Sequence, residues 1–196
     1  MNTGLYLPYL ASQCLKYGAT IKRASLKHIL DAKSLHFSGH PADVIVNCTG
    51  LGAIELGGVE DKTVYPARGQ IVIVRNDADA MYDVSGTDDG EDEIMYIMQR
   101  AAGGGTVLGG CYQKDNWTAE SDPELSKRIM TRAVKACPSL TGGKGIEELD
   151  IVRTAVGLRP LRENGTRVEA EFIKKNSEQC WVIHSYGHGG FGCELR

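Results

Sequence analysis

The residues with the clearest chemical potential are Arg159, Tyr112 and Tyr96. From Ile151 to Pro160 the chain alternates, so that Val152, Thr154, Val156 and Leu158 share one face of a strand and Arg153, Ala155, Gly157 and Arg159 the other. A residue before proline is held extended, which fixes Arg159 beside the space that Ala155 and Gly157 leave open. A fixed guanidinium can clamp a carboxylate through two parallel hydrogen bonds, and a phenol can add a third. The segments Ile94 to Ala101 and Thr106 to Tyr112 read as strands around Gly103-Gly104-Gly105, a hairpin signal. A turn centred on Gly104 makes Tyr96 and Tyr112 cross-strand partners, with their phenols side by side. The ligand implied is a small carboxylic acid. The competing reading is an arginine in a structural ion pair and two ordinary strand tyrosines.

Two glycine strings could approach a ligand. The short apolar run from Asp43 to Cys48 reads as a buried strand, and Thr49-Gly50-Leu51-Gly52 with a short helix follows; strand, glycine turn, helix is a layout that offers backbone N–H groups to phosphate. The strand from Trp181 to Tyr186 empties into Gly187-His188-Gly189-Gly190-Phe191-Gly192, which satisfies G-x-G-x-x-G literally. Its context argues against a nicotinamide fingerprint, because no helix and no ribose-binding acid follow it. A glycine-dense turn passing close to a flat ligand stands. Gly142-Gly143-Lys144-Gly145 lacks the Ser or Thr of a phosphate loop and reads as a turn. His28, His36 and His40 lie in a polar stretch without ligand spacing, so no metal site is expected. No nucleophile elbow or Cys/His arrangement supports acyl transfer.

The elements that position these groups follow from periodicity. Leu7, Leu10, Ala11, Cys14 and Leu15 recur at helical spacing before Gly18, which predicts an amphipathic helix; Ala19 to Ala24 reads as a strand, and Gln70 to Val74 as another. Asn76 to Gln99 holds no Lys or Arg and eight acids, from Asp77 to Glu93. That run is either a solvated loop or an active-site lid. Ser121 or Asp122 caps a helix that begins at Pro123, with Leu125, Ile129, Ala133 and Ala136 as its inner stripe.

Composition bounds the rest. The chain has 196 residues, 22 basic against 25 acidic, and 24 glycines, well above the usual share of about 7%. A net charge of −3 supplies no basic field for nucleic acid or an anionic membrane, and no apolar stretch is long enough to span a bilayer. Six scattered cysteines without C-x-x-C predict reduced thiols and an intracellular setting, with Cys14 and Cys48 on apolar faces. No secretory signal is visible. The N-x-T sequon at Asn47 falls inside a predicted buried strand, so glycosylation is not expected there.

Taken in order, D-V-I-V-N-C-T-G-L-G-A, V-Y-P-A-R-G-Q, G-G-C-Y-Q-K-D-N-W, V-G-L-R-P-L-R and V-I-H-S-Y-G-H-G-G-F-G resemble the D-amino acid oxidases over nearly the whole chain, and the fungal members most. The resemblance implies an α/β to α+β fold: part of an FAD-binding domain over residues 1–60, a substrate domain on a mixed, largely antiparallel sheet over 61–178, and a return strand and glycine loop over 179–196. It implies FAD as cofactor and oxidation of a small neutral D-amino acid by hydride transfer, with dioxygen as acceptor and an oxo acid, ammonia and hydrogen peroxide as products. Arg159 resembles the arginine that clamps the substrate carboxylate, Tyr112 its supporting tyrosine, Tyr96 the second active-site tyrosine, and the Gly190 carbonyl the acceptor of the substrate amine. Thr49, Gly50 and Gly187, His188, Gly189, Gly190 and Gly192 resemble cofactor contacts. D-aspartate oxidases look different at Tyr112, which favours neutral substrates.

Against the family pattern the chain begins past the strand, glycine fingerprint and helix that hold the ADP half of FAD. It ends at Cys193-Glu194-Leu195-Arg196, before a helix that would face the flavin. Weak or absent FAD binding by the chain alone is the expectation. Relatives are often peroxisomal, although no targeting tripeptide is present. The alternative is a catalytically silent domain of the same fold that binds no cofactor. A homodimer is among the assemblies left open.

Overall fold

The computed structural model describes residues 2–84 and 87–190. The chain divides into two compact units, Met1–Tyr17 with Arg68–Leu158, and Gly18–Ala67 with Arg159–Arg196. In chain order the elements are α1 (Thr3–Lys16), β1 (Val44–Asn47), β2 (Val64–Val74), β3 (Tyr82–Val84), β4 (Glu93–Gln99), β5 (Thr106–Cys111), β6 (Gln113–Lys114), α2 (Pro123–Ala136), β7 (Ile151–Arg162), β8 (Arg167–Lys175) and β9 (Glu178–Tyr186). The mixed α/β composition and the dominance of antiparallel pairing agree with the sequence reading. No helix among the described residues is long and apolar enough to cross a membrane.

In the first unit the helix predicted after Ser121 forms as α2. Asp122 is the cap, its Oδ1 accepting from the backbone N–H groups of Glu124 at 2.8 Å and Leu125 at 3.3 Å, and Pro123 opens the helix where a missing N–H costs nothing. Leu125, Ile129 and Ala133 are buried against Val72, Val74, Met95, Ile97, Leu108 and Cys111. Each fully buried Leu or Ile in that layer contributes about 1.5–3 kcal/mol relative to exposure. The sheet runs β3-β4-β5-β2-β6, and β7 pairs with β2.

The acidic stretch is more structured than a solvated loop. It contains β3 and the start of β4, and Glu93 is buried between Arg128 and Arg132 of α2, with Asp89 also bonded to Arg132. The negative run therefore serves partly to dock this segment on the cationic face of α2.

The predicted hairpin exists, but its register differs. The turn centres between Ala102 and Gly103, both at positive φ, and Arg100 N–H bonds to Gly105 O at 2.9 Å. Gln99 thus pairs with Thr106, and Tyr96 with Gly109 rather than Tyr112. A turn displaced from Gly104 changes every cross-strand partner, because three of the turn residues tolerate left-handed backbone and a run of glycines does not mark its own centre. Tyr112 lies beyond the end of β5, where its N–H bonds to Asp92 O at 2.7 Å.

The second unit contains the three-stranded sheet β1-β9-β8, with β1 parallel and β8 antiparallel to β9. Ile29, Leu30, Ile45, Leu56, Ile173, Cys180 and Val182 form its core. β1 is buried on one face only, since Val44 and Val46 are exposed. The segment from Ala19 to Ala24, read as a strand, is irregular and exposed: alternation makes a strand only where a neighbour offers a ladder, and none pairs with it among the described residues.

The helix predicted from Leu7 forms as α1, starting at Thr3, yet none of its described residues is buried. Cys14 rides on that uncovered helix and Cys48 follows β1, so both thiols are exposed rather than buried; among the described residues Cys111, Cys137 and Cys180 are buried.

The ring of Tyr96 occupies the space that a side chain at Gly109 would fill: a Cβ there would collide with Tyr96 Cζ. Gly109→Ala is expected to destabilise the chain by about 1–3 kcal/mol, measured by urea unfolding. In a Tyr96→Ala background that cost should shrink, and an unchanged cost would contradict the observed register.

Candidate functional site

Within the second unit, the end of β7 is the point on which the site is built. Gly189 N–H donates to Pro160 O at 2.8 Å, and Leu161 bridges antiparallel to His188. Gly50 stands on another side of the same proline, where a Cβ would meet Pro160 Cβ at 3.4 Å. Arg159, half-buried, precedes this proline in an extended strand, as its position requires. A Cβ on Gly157 would meet nothing within 4 Å, in keeping with open space along its face of β7.

The glycines of the loop are required by geometry. Gly187 has φ +88° and Gly189 has φ +61°; a Cβ on Gly187 would come within 2.9 Å of Arg162 Cβ, and one on Gly189 within 2.6 Å of Leu161 Cδ2. A Cβ on Gly190 would meet nothing within 4 Å. Backbone on one side is therefore pinned to β7 and on the other left open. His188 Nε2 is buried without a hydrogen-bond partner. Gly192 lies outside the described residues.

The turn after β1 is fixed by Asn47, whose Oδ1 accepts from Thr49 N–H at 3.1 Å and Thr49 Oγ1 at 2.8 Å. Gly50 follows at φ +56°. The element that follows is a five-residue 3-10 turn, Gly50–Ile54, shorter than the helix the sequence suggested and too short for an appreciable dipole. What it offers a ligand is the turn itself.

Beneath these loops runs a polar network that sequence reasoning missed. Asp61 Oδ2 receives Arg162 Nε at 2.8 Å and the Tyr186 hydroxyl at 2.9 Å, while Oδ1 receives the N–H and hydroxyl of Thr63. Arg167 donates to Tyr186 and pairs with Glu169 and Glu171, and Glu171 faces His184. Burial pushes the Asp61 carboxyl up, but the bonds from Thr63, Arg162 and Tyr186 together outweigh it and hold the pKa well below the usual carboxylate range. Burial pushes the Tyr186 phenol up, reinforced by Asp61 and partly offset by Arg167. The available signal was the inward alternation of Val182, His184 and Tyr186 against the charged alternation Arg167, Glu169, Glu171.

Tyr96 and Tyr112 belong to the first unit, and neither is the other's cross-strand partner. Tyr112 is 40% exposed. The chain after it is held by Arg68, itself 3% exposed, which donates to Gln113 Oε1, Gln70 Oε1 and the carbonyls of Thr118 and Glu120 at 2.7–2.9 Å. These acceptors are neutral oxygens. Arg68 and Gln70 sit in the V-Y-P-A-R-G-Q string, so their signal was present without its structural meaning. The structure thus brings Thr49, Gly50, Arg159, Gly187, His188, Gly189 and Gly190 together in one unit and places the two tyrosines in the other.

Residues 1–194 match the family described as FAD dependent oxidoreductase. The chain is 50% identical over 192 residues to a D-amino-acid oxidase of Fusarium vanettenii, covering 98% of this chain and 52% of that protein. It is 35% identical to a D-amino-acid oxidase of Schizosaccharomyces pombe, covering 98% and 53%. The chain therefore spans about half the length of these relatives. Among solved structures, an L-proline dehydrogenase from P. horikoshii is similar at TM-score 0.64 and 18% identity, covering 95% of this chain and 50% of that one. A glycine oxidase from Bacillus cereus is similar at TM-score 0.53 and 22% identity, covering 78% and 39%. These last two likenesses establish fold.

Because the folded Asp61 pKa lies below its unfolded value, the stability it contributes is present above about pH 4 and is lost as pH falls below that. Asp61→Asn is expected to cost about 3 kcal/mol at pH 7 by stripping Arg162 of its partner. Urea unfolding should show the gap between wild type and variant narrowing from pH 5 to pH 2.5; a gap independent of pH would contradict this assignment.

Proposed function

Because this chain belongs to the FAD-dependent oxidoreductase family over nearly its whole length, we propose that it carries the carboxylate clamp and the flavin-facing turns of an oxidase acting on neutral D-amino acids. The observation that carries this reading is the convergence of Gly50 and Gly189 on Pro160, the residue that follows Arg159. Arg159 directly precedes that proline in the extended strand, a place from which a guanidinium could set an amino acid's carboxylate in fixed relation to a flat cofactor.

The residues present fit FAD. The loop is glycine where side chains would collide with β7, open at Gly190, and carries a buried, unpartnered His188 nitrogen. When bound, FAD supplies a two-electron acceptor for hydride and a route for those electrons to dioxygen, so that an oxo acid, ammonia and hydrogen peroxide result. Arg159 takes the substrate carboxylate through paired N–H groups and so orients the α-carbon. The Gly190 carbonyl accepts from the substrate amine. Tyr112 is assigned to the carboxylate and Tyr96 to the same ligand by the resemblance quoted above. Thr49 and Gly50 would help to hold the cofactor, the role that the resemblance gives them. This division of labour requires orientation more than a strong side-chain base.

With FAD in large excess, to offset the weak binding expected of this chain alone, D-alanine should give hydrogen peroxide and L-alanine should not. Arg159→Ala is expected to lower kcat/KM for D-alanine by roughly 30- to 1000-fold, equivalent to about 2–4 kcal/mol for a lost charge-assisted pair, with FAD affinity little changed; Arg159→Lys should recover part of the loss. Bound FAD with no turnover of any D-amino acid would favour the catalytically silent fold instead.

A further inference from the structure

We propose that His184 is a positioning residue, which holds the Thr49–Gly50 turn through Asn47 and does so only as the neutral ring protonated at Nε2. The proposal rests on the reading of that turn as cofactor-facing.

His184 and Asn47 are register partners across the parallel strands β9 and β1, 0% and 1% exposed. The orientation of the Asn47 amide is set by Thr49, which donates twice to its oxygen, at 3.1 and 2.8 Å. The nitrogen end is then turned to His184 Nδ1 at 3.1 Å. An amide N–H can only donate, so Nδ1 must accept, and the ring proton resides on Nε2. Nε2 faces Glu171 Oε2 at 3.2 Å without a well-directed hydrogen bond.

Adding a proton to Nδ1 sets donor against donor in a site that excludes water. The relief open to Asn47 is to turn its amide over, which presents oxygen to the histidine and withdraws it from both bonds to Thr49. Thr49 immediately precedes Gly50, which packs on Pro160 beside Arg159. A single protonation therefore loosens the turn while leaving the β-ladder in place.

The groups facing His184 decide where this occurs. From β8 come Arg167, Glu171 and Glu169, the last being its register partner; from its own strand comes Tyr186, edge-on with ring centroids 5.8 Å apart; from β1 comes Asn47. Burial and the Arg167 charge depress the ring's pKa, and Glu171 and Glu169 pull it partly back, leaving it below the usual histidine value. The neutral latch is thus intact above about pH 6.5 and is lost as pH falls.

The test is amide hydrogen exchange of the whole chain by NMR, with the His184 ring titration followed in the same samples. In wild type, protection of the Thr49 amide should fall about tenfold or more as His184 protonates, while Val182 and Ile183 in the ladder hold theirs. His184→Asn, which keeps an acceptor near the Nδ1 position and cannot titrate, should retain Thr49 protection at every pH; His184→Leu should lack it at every pH. Thr49 protection that ignores the His184 titration, or that survives in His184→Leu, overturns the proposal. FAD affinity measured alongside should weaken with Thr49 protection. A Thr49 response that FAD affinity does not follow overturns the link to the cofactor. FAD that binds no form at any pH overturns the cofactor reading, while the exchange data still decide the latch.

Discussion

The site depends on one backbone hydrogen bond, from Gly189 N–H to the carbonyl of Pro160. Proline has no N–H to offer a neighbouring strand, so at this position β7 lacks a donor and only the carbonyl remains to be satisfied. A loop whose own residues lack Cβ atoms can come close enough to satisfy it. Once that bond is made, Leu161 lies against Gly189, Arg162 against Gly187, and Gly50 against the proline ring. Arg159 is then held extended one residue before the junction. Any side chain at Gly187 or Gly189 would meet both a steric obstacle and a left-handed backbone, which is why glycine density and function coincide here.

A polar chain from Arg162 through Asp61, Tyr186, Arg167 and the exposed Glu171 to the buried His184 and Asn47 links the base of the glycine loop to the Thr49 turn. Such a network contributes little by its charges alone, because desolvation offsets attraction. Its value lies in geometry: directed bonds join Arg162, Asp61, Tyr186, Arg167 and Glu171, and others join His184, Asn47 and Thr49, with the Glu171–His184 ion-pair contact between the two sets. In the first unit Arg68 plays a comparable part with neutral acceptors, holding the chain that follows Tyr112.

Much of this was legible in the residues. Alternation marked β7, the strand before the glycine loop and the hairpin; Asp122-Pro123 marked the start of α2; Pro160 marked the fixed arginine. What failed did so for physical reasons. The hairpin register depends on which of Ala102, Gly103 and Gly105 take left-handed backbone, and composition does not decide that. Ala19 to Ala24 has strand chemistry but no partner, and α1 has an apolar stripe but no cover, because pattern specifies a face and not the surface that meets it. The acids of the 77–93 stretch looked solvated because the cations that bind Asp89 and Glu93 lie on α2, far along the chain. The polar network stayed hidden since it joins residues as far apart as Asp61 and Tyr186.

The most direct test of the account is chemical-shift mapping of the backbone amides on addition of FAD and then D-alanine. The account predicts FAD-induced shifts concentrated at Thr49, Gly50 and Gly187 to Gly190, followed by D-alanine shifts at Arg159 and Gly190. Shifts confined to other regions, such as Gly142 to Gly145, would contradict it.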